Sequence, residues 1–327
     1  MILVTGGAGY VGSHFVRTYL ARNPTAELVV LDNFSVGHKE ALGSAERVTL
    51  FHKDYGDSDA VRDILSRFPI DRVVHFAASC YVEESQQDPS KYFKNNVSST
   101  LSMLAALEEQ GIRKFVFSSS CATYGHPVSW PIDELHPQEP INVYGMTKLM
   151  VEQALRSYAQ AREWSYVALR YFNAAGADPG GELGESHDPE THIIPLVMQA
   201  ALGKREVFEI RGNDYDTADG TCIRDYVHVN DLAVAHCQAL ELVENQSYRG
   251  AINLGTAFGA SVLEVLDLCR QVTGKEIPTK ICARRPGDPA RLVASYDKAK
   301  AVLGWQPAYD LRQIVETAWH WEQNRSY

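Results

Sequence analysis

The chain has 327 residues, 45% of them hydrophobic, and a formal net charge of −10. That is long enough for one large α/β core or two modest domains, and ordinary for a globular enzyme. The acidic balance argues against nucleic acid or an acidic membrane as the main partner, so an anionic ligand needs a locally built site. Cysteines 80, 121, 222, 237, 269 and 282 form no CxxC pair. The N-terminus leads straight into Ile2–Thr5, with no run long enough for a signal sequence or a membrane span. Reduced thiols and a cytoplasmic location are therefore expected.

In chain order, Ile2–Thr5, Leu28–Leu31, Val73–Phe76, Phe115–Ser118 and Tyr166–Arg170 are short apolar runs. Such runs fit strands covered on both faces, as in a parallel sheet. Helical stretches fall between them near 11–21, 57–67, 91–110 and 144–162. The alternation predicts an α/β fold with a doubly wound parallel sheet of Rossmann type over 1–173. From 174 to 189 the chain is rich in Gly, Pro, Asp and Glu and reads as a long loop, which is often functional. Helices near 193–203, 261–273, 297–303 and 310–324 follow. Residues 174–327 are expected to form a smaller mixed α/β carboxyl-terminal lobe that closes over the sheet's carboxyl edge and binds substrate, with an interleaved boundary.

Thr5-Gly-Gly-Ala-Gly-Tyr-Val-Gly12 follows the first strand and opens the first helix. Gly6, Gly9 and Gly12 permit a tight turn and close backbone approach, with Tyr10 and Val11 beginning a helix whose N-terminus faces a pyrophosphate. Asp32 ends the second strand twenty residues after Gly12, where a carboxylate takes ribose hydroxyls and repels a 2′-phosphate. Asn33 and Phe34 follow with no arginine, so NAD is favoured over NADP. Other strand ends should line the same crevice: Lys53, Asp54 and Tyr55 toward adenine, and Phe76, Ala77, Ala78 and Ser118 beside the cofactor. Asn95 is expected to open a helix, either as a plain cap or as a cofactor contact.

Tyr144 and Lys148 lie one turn apart on one helix face. Ionising a phenol near neutrality takes about 4 kcal/mol, and an ammonium about 4 Å away supplies up to roughly that at an effective dielectric near 20. Ser120, ending an upstream strand, suits a hydrogen-bond partner for a substrate oxygen. Tyr296 and Lys300 share the spacing but not the companions, and read as a surface helix pair. His187, Asp188, Glu190 and His192 fall in the loop, and the chemistry needs no metal, so none is expected. Cys80 and Cys121 follow strands at the crevice and read as buried thiols.

These residues resemble the extended short-chain dehydrogenase/reductases and, within them, the UDP-glucose 4-epimerases. The likeness runs through TGGAGYVG at 5–12, HFAAS at 75–79, SSSCATYG at 118–125, YGMTK at 144–148, LRYFNAAGA at 169–177, DGTCIRDYVHVNDLA at 219–233 and RRPGD at 284–288. It implies tightly bound NAD, a UDP-sugar substrate and a homodimer built from helices 91–110 and 144–162. It also implies a reversible oxidation at C4 of the sugar, in which the 4-keto sugar turns over before hydride returns to its other face. By that resemblance Tyr144 is the base, Lys148 its pKa tuner and ribose anchor, and Ser120 the partner of the sugar oxygen. Tyr171 and Phe172 match positions beside the nicotinamide, while Asn173, Arg224, Arg285 and Asp288 match positions holding UDP. The arginines have a second reading as ion-pair partners of Asp225 and Asp288.

Three positions depart from the pattern. Cys80 stands where many epimerases carry a lysine, which puts one cofactor contact in doubt. His192 takes a nucleotide-side position where an amide is common. Leu292 falls where pocket size beside the sugar is set, and its branched side chain favours glucose and galactose over N-acetyl forms. Ser-Cys-Ala-Thr-Tyr-Gly at 120–125 also resembles epimerases acting on UDP-xylose and UDP-arabinose. A 4,6-dehydratase needs acids right after the serine, where this chain has Cys121-Ala122-Thr123.

Overall fold

A computed structural model describes residues 1–43, 46–245, 247–285 and 287–327. Pro286 of the RRPGD motif thus lies outside the described residues. The first half alternates strands and helices, with β3 and α3 added to those expected: β1 (Ile2–Thr5), α1 (Tyr10–Arg22), β2 (Leu28–Asp32), β3 (Val48–His52), α2 (Ser58–Arg67), β4 (Arg72–His75), α3 (Val82–Gln87), α4 (Pro89–Tyr92), α5 (Thr100–Glu109), β5 (Lys114–Ser120), α6 (Val143–Arg162) and β6 (Ser165–Tyr171). The second half comprises β7 (Asn173–Ala175), α7 (Ile193–Ala201), β8 (Phe208–Arg211), β9 (Ile223–Arg224), β10 (Tyr226–His228), α8 (Val229–Asn245), β11 (Arg249–Leu254), β12 (Ala260–Ser261), α9 (Val262–Thr273), β13 (Thr279–Cys282), β14 (Arg291–Leu292), α10 (Asp297–Leu303) and α11 (Leu311–Asn324).

Seven strands form one sheet in the order β11-β6-β5-β4-β1-β2-β3, and every pairing in it is parallel. The strand order reverses between β1 and β4, where open α/β sheets bind ligands at their carboxyl edge. Apolar clusters cover both faces. One packs β1, β2 and β6 under α1 and α8; the other packs the opposite face under α2, α5 and α6. A third cluster, around α7, α9 and α11, is separate from the sheet.

The structure departs from the sequence expectation in three places. First, α8 and β11 return to the main sheet: α8 packs beside α1, and β11 pairs in register with β6. Neither was expected as an element. Eleven of the α8 residues are buried, so its polar stripe is narrow and broken by Val234, and β11 carries a glycine and an asparagine that only its neighbour strand makes tolerable. Second, β3 is an edge strand with no fully buried residue, and it was also missed. Third, the stretch expected as one helix over 91–110 is three: α4, a π-helical segment at Phe93–Ser99, and α5. Asn95 therefore sits inside a helical run and does not open one. The helix-opening side chain is Asp88, which accepts from Lys91 N at 3.1 Å. π-Helical turns recur at functional sites because they redirect side chains without ending the helix.

Tyr296 and Lys300, expected as a surface helix pair, are split: only Lys300 is on the helix and exposed, while Tyr296 is half-buried against the core. Tyr296 precedes α10 and meets Trp305 edge-on at 6.4 Å, and Lys300 is exposed.

Candidate active site

The glycine turn is shaped by its neighbours. Gly6 has φ +72°, and a Cβ there would fall 2.5 Å from Ala77 N. One at Gly12 would fall 2.1 Å from Gly6 O. A Cβ at Gly9 would meet nothing nearer than 3.4 Å, so the space above it is open to a ligand. Helix α1 has no side-chain cap and no acid in its first turn, which leaves its leading N–H groups for an anion. Asp32 accepts from Ala8 N (2.9 Å) and Phe34 N (2.8 Å), one per oxygen. Each oxygen keeps a lone pair for a ribose hydroxyl. Tyr10 turns away from the cradle, donating to Gly176 O at 2.6 Å, and Val11 packs into the core beneath.

The adenine side is more constrained than the sequence suggests. Asn33 donates to Asp54 at 2.8 Å, so these two residues form one unit. The Tyr55 ring is 4% exposed, meets His75 at 5.0 Å, and its hydroxyl donates to Asn95 O. Its side chain belongs to the core. Beside β4, Phe76 N and Ala77 N both donate to Thr5 O, which draws the Phe76-Ala77-Ala78 segment over the glycine turn. Asn96, which the sequence reading passed over, holds that segment from behind. It accepts from Ser79 N (2.8 Å) and donates to Ser79 O (2.9 Å) and to Thr147 on α6 (3.1 Å). Asn95 donates to Ser79 Oγ at 3.3 Å. A buried asparagine one residue after an expected cap was the available signal.

The structure brings Ser120, Tyr144 and Lys148 together at the carboxyl ends of β5 and β6. Asn142 caps α6 by accepting from Gly145 N at 2.7 Å, and Gly145 is required because its Cβ would fall 2.3 Å from Ala122 O. The helix start is thereby pressed onto the turn after Ser120. Lys148 Nζ lies 5.7 Å from the Tyr144 ring centre and donates to Ser118 O at 2.8 Å. Burial lowers its pKa to about 8. For Tyr144, burial pushes the phenol well above its ordinary value and nearby Tyr171 and Cys80 add to this, while the Ser120 hydroxyl bond draws it down. A cation held this close to the ring favours the phenolate, while burial adds to the energy its ionisation requires.

Tyr171 shares a short hydrogen bond with Ser118, and Phe172 packs with Tyr124, Ile132 and Ala294, with Cys121 and Leu292 at the rim of that cluster. Cys80 is near enough to Tyr144 and Lys148 to influence both, and burial holds its thiol protonated by raising its pKa. All six cysteines are unpaired.

Facing this group, β9 pairs antiparallel with β12 and parallel with β14, so Arg224 and Leu292 sit in register. Arg224 bonds Asp288 and also donates to Ile223 O at 2.8 Å. Asp225 pairs with no arginine: it accepts from Thr256 N at 3.0 Å and Ala294 N at 3.1 Å. Arg285 is exposed, with no side-chain partner among the described residues. Asn173 reaches the same edge, its N–H donating to Asp225 O at 2.9 Å. His192 lies on the loop before α7, against Glu185 and Glu190.

A buried network stiffens the scaffold. Glu152 on α6 accepts from Arg170 Nε at 2.9 Å and from Ser119 at 2.6 Å, and Arg170 reaches Tyr124, which donates to Asn253 on β11 at 2.6 Å. Nothing in the sequence pattern pointed to it.

Residues 3–318 match the family model described as GDP-mannose 4,6 dehydratase. A UDP-glucose 4-epimerase of Halalkalibacterium halodurans is 49% identical over 327 residues, spanning 100% of this chain and 96% of the relative. The crystal structure of UDP-glucose 4-epimerase from Brucella ovis in complex with NAD is 46% identical with a TM-score of 0.93, covering 98% of both chains. That from Bifidobacterium longum, in complex with NAD+ and UDP, is 34% identical with a TM-score of 0.93, covering 99% of this chain and 98% of the other. With its unbroken parallel sheet, its glycine turn and its Ser120–Tyr144–Lys148 grouping, the chain belongs to the UDP-glucose 4-epimerases of the extended short-chain dehydrogenase/reductase family.

Proposed function

We propose that this chain interconverts UDP-glucose and UDP-galactose by transient oxidation at C4 of the sugar, using NAD that it keeps between turnovers. The observation that carries the reading is the convergence of Tyr144, Lys148 and Ser120 on one point at the sheet's carboxyl edge, beside an open, uncapped helix N-terminus. The cradle fits a dinucleotide: Gly9 leaves room, the α1 amides face it, and Asp32 retains acceptor capacity for a ribose. When bound, NAD supplies the reversible hydride acceptor and a positively charged ring beside Tyr144.

Tyr144 Oη takes the proton from the sugar 4-hydroxyl and later returns it, and Ser120 Oγ holds the same oxygen. Lys148 keeps the phenolate charge tolerable and anchors the ribose. The positions assigned to UDP are Asn173, His192, Arg224, Arg285 and Asp288. Arg224 spends one side of its guanidinium on Asp288 and one donor on Ile223 O, leaving further donors for a diphosphate. A sugar that must turn over cannot be clamped, so this reading concentrates binding energy on the nucleotide. Cys121-Ala122-Thr123 supplies no acid after Ser120, which favours return of the hydride over elimination of water.

The remaining site assignments, the substrate-binding role of residues 174–327, and a place in galactose metabolism belong to the same reading. So does a homodimer packed through the π-helical segment with α5 and through α6, where Phe93, Leu101, Met146 and Met150 are exposed apolar side chains. No helix among the described residues is long and apolar enough to cross a membrane, and the unpaired cysteines favour a reducing cytoplasm.

The test is to incubate purified chain with UDP-galactose, without added cofactor, and separate the products. UDP-glucose should accumulate to equilibrium, and denatured enzyme should release about one NAD per chain. A requirement for an external oxidant, or a 4-keto-6-deoxy product, would overturn the reading.

A further inference from the structure

The loop between β7 and α7 gathers Glu185, His187, Glu190 and His192 so that one ligand atom from each lies within 4.8 Å of all the others. Both imidazoles point Nδ1 inward. Glu185 Oε1 lies 3.1 Å from His187 Nδ1 and 2.6 Å from His192 Nδ1, and Glu190 lies 3.1 Å from His192 Nδ1 and 3.9 Å from His187 Nδ1. The Glu185 and Glu190 side chains are each 5% exposed, His187 10%, and His192 closes the rim at 39%.

Hydrogen bonding alone accounts poorly for this arrangement. Two ring nitrogens converge on a single carboxylate oxygen, and the two rings sit 5.4 Å apart, where two imidazolium charges repel. With neutral imidazoles two buried carboxylates are left without cations, and with one imidazolium the set still carries a net negative charge. The nearby Lys204 and Arg325 are turned to Glu322, at 3.7 and 3.8 Å. A dication bound by two neutral imidazoles and two carboxylates makes the set neutral. Tetrahedral Zn²⁺ with bonds of about 2.0–2.2 Å sets ligand atoms about 3.3 Å apart, and the observed separations bracket that value.

The supporting contacts are those expected around a metal site. Glu190 Oε1 is oriented by Thr191 N at 2.7 Å and His192 N at 2.8 Å, and the Glu185 carbonyl accepts from Trp321 at 2.9 Å. His187 meets the ring of Tyr10, the first residue of α1, at 6.3 Å, and that of Tyr81, which follows β4, at 6.0 Å.

We propose that Glu185, His187, Glu190 and His192 form a structural site for a divalent cation of the Zn²⁺ class, which ties the 176–192 loop to the start of α1 and the segment after β4. Hydride transfer needs no metal, so this ion has no part in the chemistry; it fixes the loop, and with Nδ1 of His192 turned to the ion, Nε2 is the atom left for the nucleotide. All four ligands fall within eight residues, three of them the His187, Glu190 and His192 that the sequence reading set aside. Glu185, which that reading passed over, takes the place of Asp188.

The test strips the full-length chain with a chelator and titrates it with ZnCl2 against a chromophoric competitor, in parallel with His187→Asn and Glu185→Gln. Wild type should take up one equivalent and its thermal midpoint should rise with zinc, and each variant should bind at least about tenfold more weakly. Absence of saturable uptake, or variants that bind as wild type does, would overturn the proposal. Should the variants not fold, X-ray absorption of zinc-loaded wild type decides: a nitrogen and oxygen shell with two imidazoles supports the site, and sulfur ligation, as from Cys80, refutes it. None of these readouts involves epimerisation, so failure here and failure of the functional reading are distinguishable.

Discussion

The two walls of the cleft are built on different principles. On the sheet side, functional groups are fastened by the backbone. Asp32 is held by two N–H groups, the α6 N-terminus by Asn142 and Gly145, and the segment after β4 by Asn96. On the facing side, the groups assigned to UDP satisfy one another or stand free: Arg224 binds Asp288, and Arg285 is exposed. A wall that performs chemistry needs its donors and bases aimed in advance. A wall that grips a charged nucleotide can hold its charges in internal pairs until the ligand arrives. The first wall is therefore rigid and intolerant, and the second is adaptable and graded.

The largest effect should come from Tyr144→Phe, which removes one oxygen from the rigid wall. Turnover should fall by about 10³-fold or more, while NAD remains bound and UDP affinity is unchanged. Release of NAD by this variant would show that the two walls are not independent. Next, Glu152→Ala strands the buried Arg170 guanidinium and should cost about 3–5 kcal/mol in urea unfolding. A loss within about 0.5 kcal/mol would show that the scaffold under α6 is not as stiff as its network implies.

Lys148 gives the rigid wall a pH signature. Its unfolded pKa of 10.5 drops to about 8 in the fold because burial disfavours the charge. Between pH 8 and 10.5 the unfolded chain binds more protons at this residue than the folded one, so stability rises with pH across that window. Cofactor-free wild type should gain up to about 3 kcal/mol relative to Lys148→Met over that span, measured by thermal unfolding. A flat difference would place the ammonium in water.

Smaller effects should mark the adaptable wall. Arg224→Lys keeps the charge but loses the planar fork, so KM for UDP-galactose should rise about tenfold with kcat little changed; a loss confined to kcat would move Arg224 into the chemistry. Leu292→Gly should raise kcat/KM for UDP-N-acetylgalactosamine relative to UDP-galactose by about tenfold. Comparable values for the two substrates in wild type would already refute the sizing role of Leu292.

Legibility followed the same division. The glycine turn, Asp32 and the Tyr144–Lys148 pair could be read from spacing because each acts through neighbours close in sequence. The ring of Tyr55 was misjudged, since burial against His75 and Asn95 depends on how β4 meets the π-helical segment. Asn95 was misjudged for the same reason: a π turn has no distinctive local composition. Asn96 and Glu152 were passed over because their partners lie 17 to 51 residues away.

By itself the sequence determined the parallel sheet, the glycine turn at the start of α1 and the one-turn spacing of Tyr144 and Lys148, because strand burial, helix entry and one-turn spacing are local properties written in residue order. The tertiary structure alone decided that α8 and β11 rejoin the first sheet, and that Arg224 faces Asp288 while Asp225 holds Thr256. It also placed Lys148 5.7 Å from its tyrosine and made four loop side chains converge on one point. Those outcomes depend on desolvation and on pairings between distant segments, and neither acts until the chain has closed on itself.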